Sequence, residues 1–231
     1  MKAIIFGATG MVGKSVLREC LLEDKVQGIM TIGRTRTNQQ HQKLRQIILQ
    51  EVADLSTVEP ELTGYDACFF CLGVSSVGMK EEEYRKITYD MTLSVAQTLA
   101  RLNPQMTFIY VSGSGTDSSE KGRSMWARVK GKTENDLLRL PFQAAYMFRP
   151  GAILPSHGVK SKTKLYQIFY DAMKPFYPLL KKLHIVITSE QLGKAMIQVA
   201  SGGYPRSVIE NNELKKITWR PDRIDRESKV L

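Results

Sequence analysis

A doubly wound parallel α/β sheet in a single domain is the fold class that the sequence predicts, and three observations predict it. Short apolar runs with almost no polar interruption recur along the chain. Segments of helical periodicity separate them, and a glycine-spaced turn follows the first run. Strands that are apolar on both sides of the pleat are covered on both faces, which is the condition of a parallel sheet between two helix layers.

The elements follow in order. Ala3-Ile4-Ile5-Phe6 reads as the first strand, and the amphipathic segment from the glycine turn through Leu22 reads as the first helix. Gln27–Ile32 and Gln46–Gln50 read as the second and third strands, and Tyr65–Cys71 as the fourth. A long helical stretch from about Glu81 to Leu102 leads to a fifth strand at Thr107–Val111. Another helix, about Ser124 to Leu140, leads to a sixth at Ala144–Phe148. Ser189 to Ala200, with Thr188-Ser189-Glu190 as its cap, reads as a last helix. Arg206–Ile209 adds a final strand, and the polar tail from Asn211 is expected to be loosely ordered.

With 231 residues and 42% hydrophobic content, the chain can bury one sizeable core, so one domain over 1–231 is expected. The opening apolar run is too short for a signal peptide, and no run approaches a membrane span, so a soluble chain is expected. Cys20, Cys68 and Cys71 are odd in number, which argues against a disulfide framework and for a reduced, cytoplasmic compartment. Cys68-Phe69-Phe70-Cys71 has redox spacing, but it lies in an extended run and does not open a helix. His41, His157 and His184 show no ligand spacing, so no metal is expected. The net charge of +10 is dispersed and no basic motif is interleaved with aromatics, so no specific nucleic-acid partner is expected.

Gly7-Ala8-Thr9-Gly10-Met11-Val12-Gly13 is the strongest functional signal. A strand that turns sharply into a helix leaves the first helical N–H groups unpaired, and these suit a pyrophosphate. In this reading Gly7 makes the turn, Gly10 admits the phosphates and Gly13 lets the helix lie close on the strand. The spacing departs from G-x-G-x-x-G, with two residues between the first two glycines. After the second strand, where NAD-preferring folds carry an acidic residue, stands Gly33-Arg34-Thr35-Arg36. A guanidinium binds a 2′-phosphate through paired charge-assisted hydrogen bonds, so NADP(H) is the expected cofactor, favoured over NAD(H) by about ten- to hundred-fold. Arg36 reads equally well as a solvated loop charge.

Ligands of such a sheet lie beyond the carboxyl ends of the strands, at Gly7, Gly33, Asp54, Gly73, Ser112 and Arg149. With these residues in place, the chain from Met1 to about Gly203 resembles the short-chain dehydrogenase/reductase superfamily, in its atypical, epimerase-like NAD(P)-binding branch. The resemblance implies a Rossmann-type fold and adenine contacts from Asp54-Leu55. It also implies an approach of Cys71-Leu72-Gly73 to the adenine ribose, and a turn near the nicotinamide at Arg149-Pro150-Gly151. Relatives often dimerise through helix faces, which implies a homodimer.

The superfamily's chemistry uses a Ser after the fifth strand, and a Tyr followed four positions later by a Lys on the next helix. Ser112 and Ser114 are the serine candidates here, and Lys130, accompanied by Gly131 and Glu134, stands at the lysine position. The Tyr position is Trp126, whose indole N–H donates but does not ionise. Thr88 stands where many relatives carry an Asn.

Three accounts of Trp126 compete. The protein is an oxidoreductase in which water, Ser114 or a nearby Tyr relays the proton, or it binds the cofactor without chemistry, or the register differs by part of a turn. The first account implies an NADP(H)-dependent oxidoreductase acting on a small carbonyl or alcohol compound. The second implies a silent regulatory or interaction module. The Lys-, Tyr- and Phe-rich stretch 160–182 is expected to form a substrate lid, within a region of about 157–184, with a membrane-surface role as the alternative.

Overall fold

The computed structural model describes residues 1–156, 183 and 185–218. The chain runs through β1 (Lys2–Phe6), α1 (Met11–Leu22), β2 (Gly28–Gly33), β3 (Leu44–Ile48), β4 (Ala67–Phe70) and α2 (Glu81–Arg85). A π-helical turn at Lys86–Asp90 joins α2 to α3 (Met91–Leu102). There follow β5 (Thr107–Val111), α4 (Met125–Leu137), β6 (Ala144–Arg149), β7 (Ala152–Leu154), β8 (Val186–Thr188), α5 (Ser189–Gly202), β9 (Val208–Glu210) and α6 (Asn211–Thr218). The lid expected at 157–184 lies outside the described residues apart from position 183, and so does the end of the tail from 219 onward.

Seven strands pair in parallel in the order β3-β2-β1-β4-β5-β6-β9, a Rossmann-type sheet in one domain. Strand order reverses between β1 and β4, so a crevice opens beyond their carboxyl ends. Alternation along β1 divides the core in two. Ala3 and Ile5 pack towards α1 and α5 with Val16, Leu17, Leu192 and Met196. Ile4 and Phe6 face the α3 side, with Phe70, Phe108, Val95 and Leu99. On that second face Phe6 stacks on Phe70 with ring centroids 5.4 Å apart, and Phe70 on Phe108 at 6.0 Å, which pins the register of three adjacent strands.

The α1–α5 contact uses small residues. Ser15 Oγ donates to Ser189 Oγ at 2.8 Å, and Gly193 lies against the backbone of α1, where an added Cβ would stand 3.3 Å from Val16 Cα. α5 starts where the sequence places it, with Thr188 Oγ1 accepting the Gln191 N–H and the Gln191 side chain accepting the Thr188 N–H.

Several expectations are corrected. β3 starts two residues before Gln46. The chain after Asn211 is not loose at its start, because α6 sinks Leu214 completely into the α1–α5 core. The two-stranded β7–β8 sheet and the π-helical turn were not expected at all. Among the described residues no helix is long and apolar enough to cross a membrane, and no three metal-ligating side chains gather.

Candidate functional site

The turn from β1 into α1 is built around close backbone approaches. Gly7 adopts φ +79°, which favours glycine, and a Cβ there would stand 2.8 Å from the carbonyl of Cys71 and the nitrogen of Leu72. Its carbonyl accepts the Gly10 N–H at 2.9 Å. A Cβ at Gly13 would overlap that same Gly7 oxygen, so glycine at 13 lets α1 descend onto the turn. Gly10 caps α1 without a side chain, and the N–H groups of Met11 and Val12 have no acceptor among the described residues. Two free donors at the positive end of a helix, beside a backbone surface bare of Cβ atoms, are suited to a phosphate group.

Gly7, Ala8, Thr9 and Gly10 form one wall of a groove of about 1240 Å³, which Met11, Val12 and Gly13 do not line. Arg34 and Thr35 from the end of β2 line it on one side of the glycine turn, and Leu72 and Gly73 after β4 on the other. Both Arg34 and Thr35 are exposed, and Arg36 does not line the groove. Asp54 and Leu55 depart from their expected place. Leu55 is buried in the core, and the pKa of Asp54 is held below the usual carboxylate range first by the Ser56 hydroxyl and then by the Ser56 N–H, which the carboxylate accepts at 3.0 Å. The wall they were expected to form is made by Glu51, Val52 and Ala53, because the chain leaves β3 two residues earlier. Lys86 and Asp90, both in the π-helical turn, and Ser94 complete that side. Sequence reasoning missed them because a helical pattern gives no sign of a single π-helical turn.

The second cluster of candidates sits at the ends of β5 and β6. Trp126 and Lys130 lie one turn apart on α4, as their spacing requires. Lys130 Nζ donates to the Ser112 carbonyl, and burial pushes its pKa down to about 8, with Glu134 partly opposing the shift. Ser112 is buried, and its hydroxyl donates to the Phe148 carbonyl at 3.0 Å, so it ties β5 to β6 and is not aimed at a substrate. Ser114 is exposed, with its backbone N–H on the Pro150 carbonyl at 2.8 Å. The edge of the Trp126 indole would lie 3.5 Å from a Cβ at Gly115.

Arg149 is corrected most clearly. Its guanidinium donates to the fully buried Glu134 at 2.5–3.2 Å, to Glu210 at 3.1 Å and to Ser118 Oγ at 2.6 Å. It therefore fastens α4, β6, β9 and the 112–124 loop together, and neither it nor Pro150 lines the groove. Burial pushes the Cys71 thiol up to about 12, so the groove presents it as a neutral thiol.

Gly131 brings α4 against the loop that carries Ser114. A Cβ there would overlap the Asp117 carbonyl, so Gly131→Ala is expected to destabilise the protein by about 1–3 kcal/mol in urea denaturation. Gly202→Ala, with no atom within 4 Å of the new methyl, should change stability by less than about 1 kcal/mol.

Comparison with known proteins adds the following. A model of the NAD dependent epimerase/dehydratase family matches residues 3–124. The mitochondrial protein FMP52-2 of Scheffersomyces stipitis is 28% identical over 215 residues, covering 90% of both chains. Protein HTATIP2 of Rattus norvegicus is 29% identical over 153 residues, 65% of this chain and 62% of its own. Among solved structures, the dTDP-glucose 4,6-dehydratase DesIV of Streptomyces venezuelae, with NAD and TYD bound, has a TM-score of 0.68 at 14% identity and covers 94% of this chain and 80% of its own. At that identity the likeness speaks for the fold alone. The FMP52 relatives of Scheffersomyces stipitis and Debaryomyces hansenii are named mitochondrial, which overturns the cytoplasmic expectation.

Proposed function

The chain belongs to the NAD dependent epimerase/dehydratase family, and on that premise we propose that it is an NADP(H)-dependent oxidoreductase acting on a small carbonyl or alcohol compound. The observation that carries the cofactor choice is Arg34. It lines the groove at the end of β2, next to the glycine turn, and Gly33-Arg34-Thr35 offers no carboxylate that would repel a 2′-phosphate. The pyrophosphate would be held at Gly10 and by the N–H groups of Met11 and Val12. The adenine side would lie against Val52, Ala53 and Leu72. When bound, NADPH supplies a hydride; the protein's share is to position the acceptor and manage its proton. Lys130 fits the nicotinamide side, because its amine is fixed at the carboxyl end of β5.

A mitochondrial location is the one that the relatives' names support. A second reading, a cofactor-binding module without chemistry, is favoured by Trp126 alone. The two part on one comparison. An oxidoreductase transfers hydride from NADPH to at least one carbonyl of a broad panel as the wild-type protein. A silent module binds NADPH and transfers hydride only after Trp126→Tyr. The Arg34 reading has its own test, since Arg34→Ala is expected to weaken NADPH binding by about ten- to hundred-fold while leaving NADH binding within about twofold. Equal loss for both cofactors would remove the 2′-phosphate contact from the account.

A further inference from the structure

We infer that the ammonium of Lys130 is the acid that protonates the carbonyl oxygen of the substrate, an assignment that rests on the oxidoreductase reading above. The other candidates at this end of the sheet are each engaged or unsuited. Trp126 lies one helical turn before Lys130, and its indole cannot ionise. The Ser112 hydroxyl is committed to the Phe148 carbonyl, and an exposed serine such as Ser114 is too weak an acid to serve near neutrality. The phenols of Tyr84 and Tyr110 are buried in the interior, and burial raises both their pKa values. Tyr89 donates to Asp136 at 2.6 Å on another face of α4. His41 is exposed between β2 and β3. Lys130 is the ionisable donor held at the carboxyl end of β5.

The geometry suits the role. An ammonium carries three N–H donors, and the Ser112 carbonyl takes one of them, fixing the nitrogen at the end of β5 with no other acceptor among the described residues. The elements packed around α4 bring Glu81, Tyr84 and Arg85 from α2, Lys86, Tyr89 and Asp90 from the π-helical turn, Arg101 from α3, Tyr110 from β5, Asp117 and Glu120 from the 112–124 loop and Arg149 from β6, besides Arg128, Lys132, Glu134 and Asp136 on α4 itself. Of these Glu134 acts on the amine and favours its charged form, while burial acts more strongly the other way. The amine is therefore protonated at neutral pH and is a much stronger acid than an exposed lysine, which is what a proton donor working there requires.

The step balances. The carbonyl carbon accepts a hydride with its electron pair from NADPH, which leaves as NADP⁺. The carbonyl π pair moves onto oxygen, an O–H bond forms as a Lys130 N–H bond breaks, and water then reprotonates the neutral amine. The carbonyl is reduced to an alcohol and the dinucleotide is oxidised.

Two measurements test the assignment. The first needs neither cofactor nor turnover: acetic anhydride labelling of Lys130 across pH, read by mass spectrometry, should show half-maximal reactivity near pH 8. Half-reactivity near the ordinary lysine value of 10.5 would overturn the proposal. The second follows hydride transfer from NADPH to 4-nitrobenzaldehyde in single turnovers. Wild-type rates should fall about tenfold per pH unit above pH 8. In Lys130→Arg that limb should disappear and the rate should drop by about 10²–10⁴, and Lys130→Met should show the same loss. Transfer with an unchanged limb in Lys130→Arg would overturn the Lys130 assignment alone. No transfer by the wild-type protein to this aldehyde or to any carbonyl of the panel would remove the oxidoreductase reading, and this assignment with it.

Discussion

Glu134→Ala is expected to lower the unfolding free energy by about 3–5 kcal/mol, the cost of leaving one partner of a buried ion pair uncompensated. Glu134 is fully buried, and the Arg149 side chain it holds is only 11% exposed. Removing the carboxylate strands a guanidinium, held otherwise by Glu210, whose side chain is 46% exposed, and by the hydroxyl of Ser118. A guanidinium keeps its proton at any working pH, so Arg149 cannot escape the loss of Glu134 by becoming neutral. Urea denaturation gives the number directly, provided the slope stays constant. The double variant Glu134→Leu with Arg149→Leu should lose much less than Glu134→Ala, because an apolar pair of similar volume avoids the stranded charge. A loss under about 1 kcal/mol for Glu134→Ala would mean that Glu210 and Ser118 suffice to hold Arg149.

Gly13→Ala is expected to be the most damaging single change to cofactor binding. Its methyl would overlap the Gly7 carbonyl oxygen, which already accepts the Gly10 N–H, and would approach Ala8 Cα to 2.9 Å. These are backbone atoms and cannot swing aside, so α1 must lift from the turn or the turn must open. Overpacking of this kind costs about 1–3 kcal/mol in stability. The effect on binding should be larger, about a hundredfold or more, because the displaced atoms are those that would position the pyrophosphate donors, and small misplacements of positioned groups are costly. The check is NADPH titration of the folded variant. Retained affinity within threefold of wild type would mean that the first turn of α1 takes no part in binding.

The fold was largely legible in the sequence because each strand is an apolar run and each run sits between helical patterns. A sheet buried on both faces leaves that signature without ambiguity. The glycine turn was legible for a similar reason: Gly7 and Gly13 each answer a local steric demand that no other residue meets, whereas at Gly10 an added Cβ would lie 3.3 Å from the Gly7 oxygen. What escaped is what depends on partners distant in sequence. Arg149 follows a strand end, where a sequence reading expects a ligand contact. Only the folded chain shows that Glu134 and Glu210, 15 and 61 residues away, occupy its guanidinium. Ser112 likewise looks free until its hydroxyl is seen on Phe148, 36 residues away. Asp54-Leu55 was displaced by a two-residue difference in where β3 begins and ends, and strand boundaries are weakly encoded where polar and apolar residues mix, as in Leu44–Leu49. Lys86 and Asp90 reach the groove from a π-helical turn that has no sequence signature.

The central claim is that the groove between the glycine turn and Arg34 binds NADP(H). Isothermal titration calorimetry of the wild-type protein with NADPH and with NADH tests it most directly. The account predicts NADPH binding at least about tenfold tighter than NADH, with that margin lost in Arg34→Ala. Equal affinities, or no binding of either dinucleotide, would contradict it.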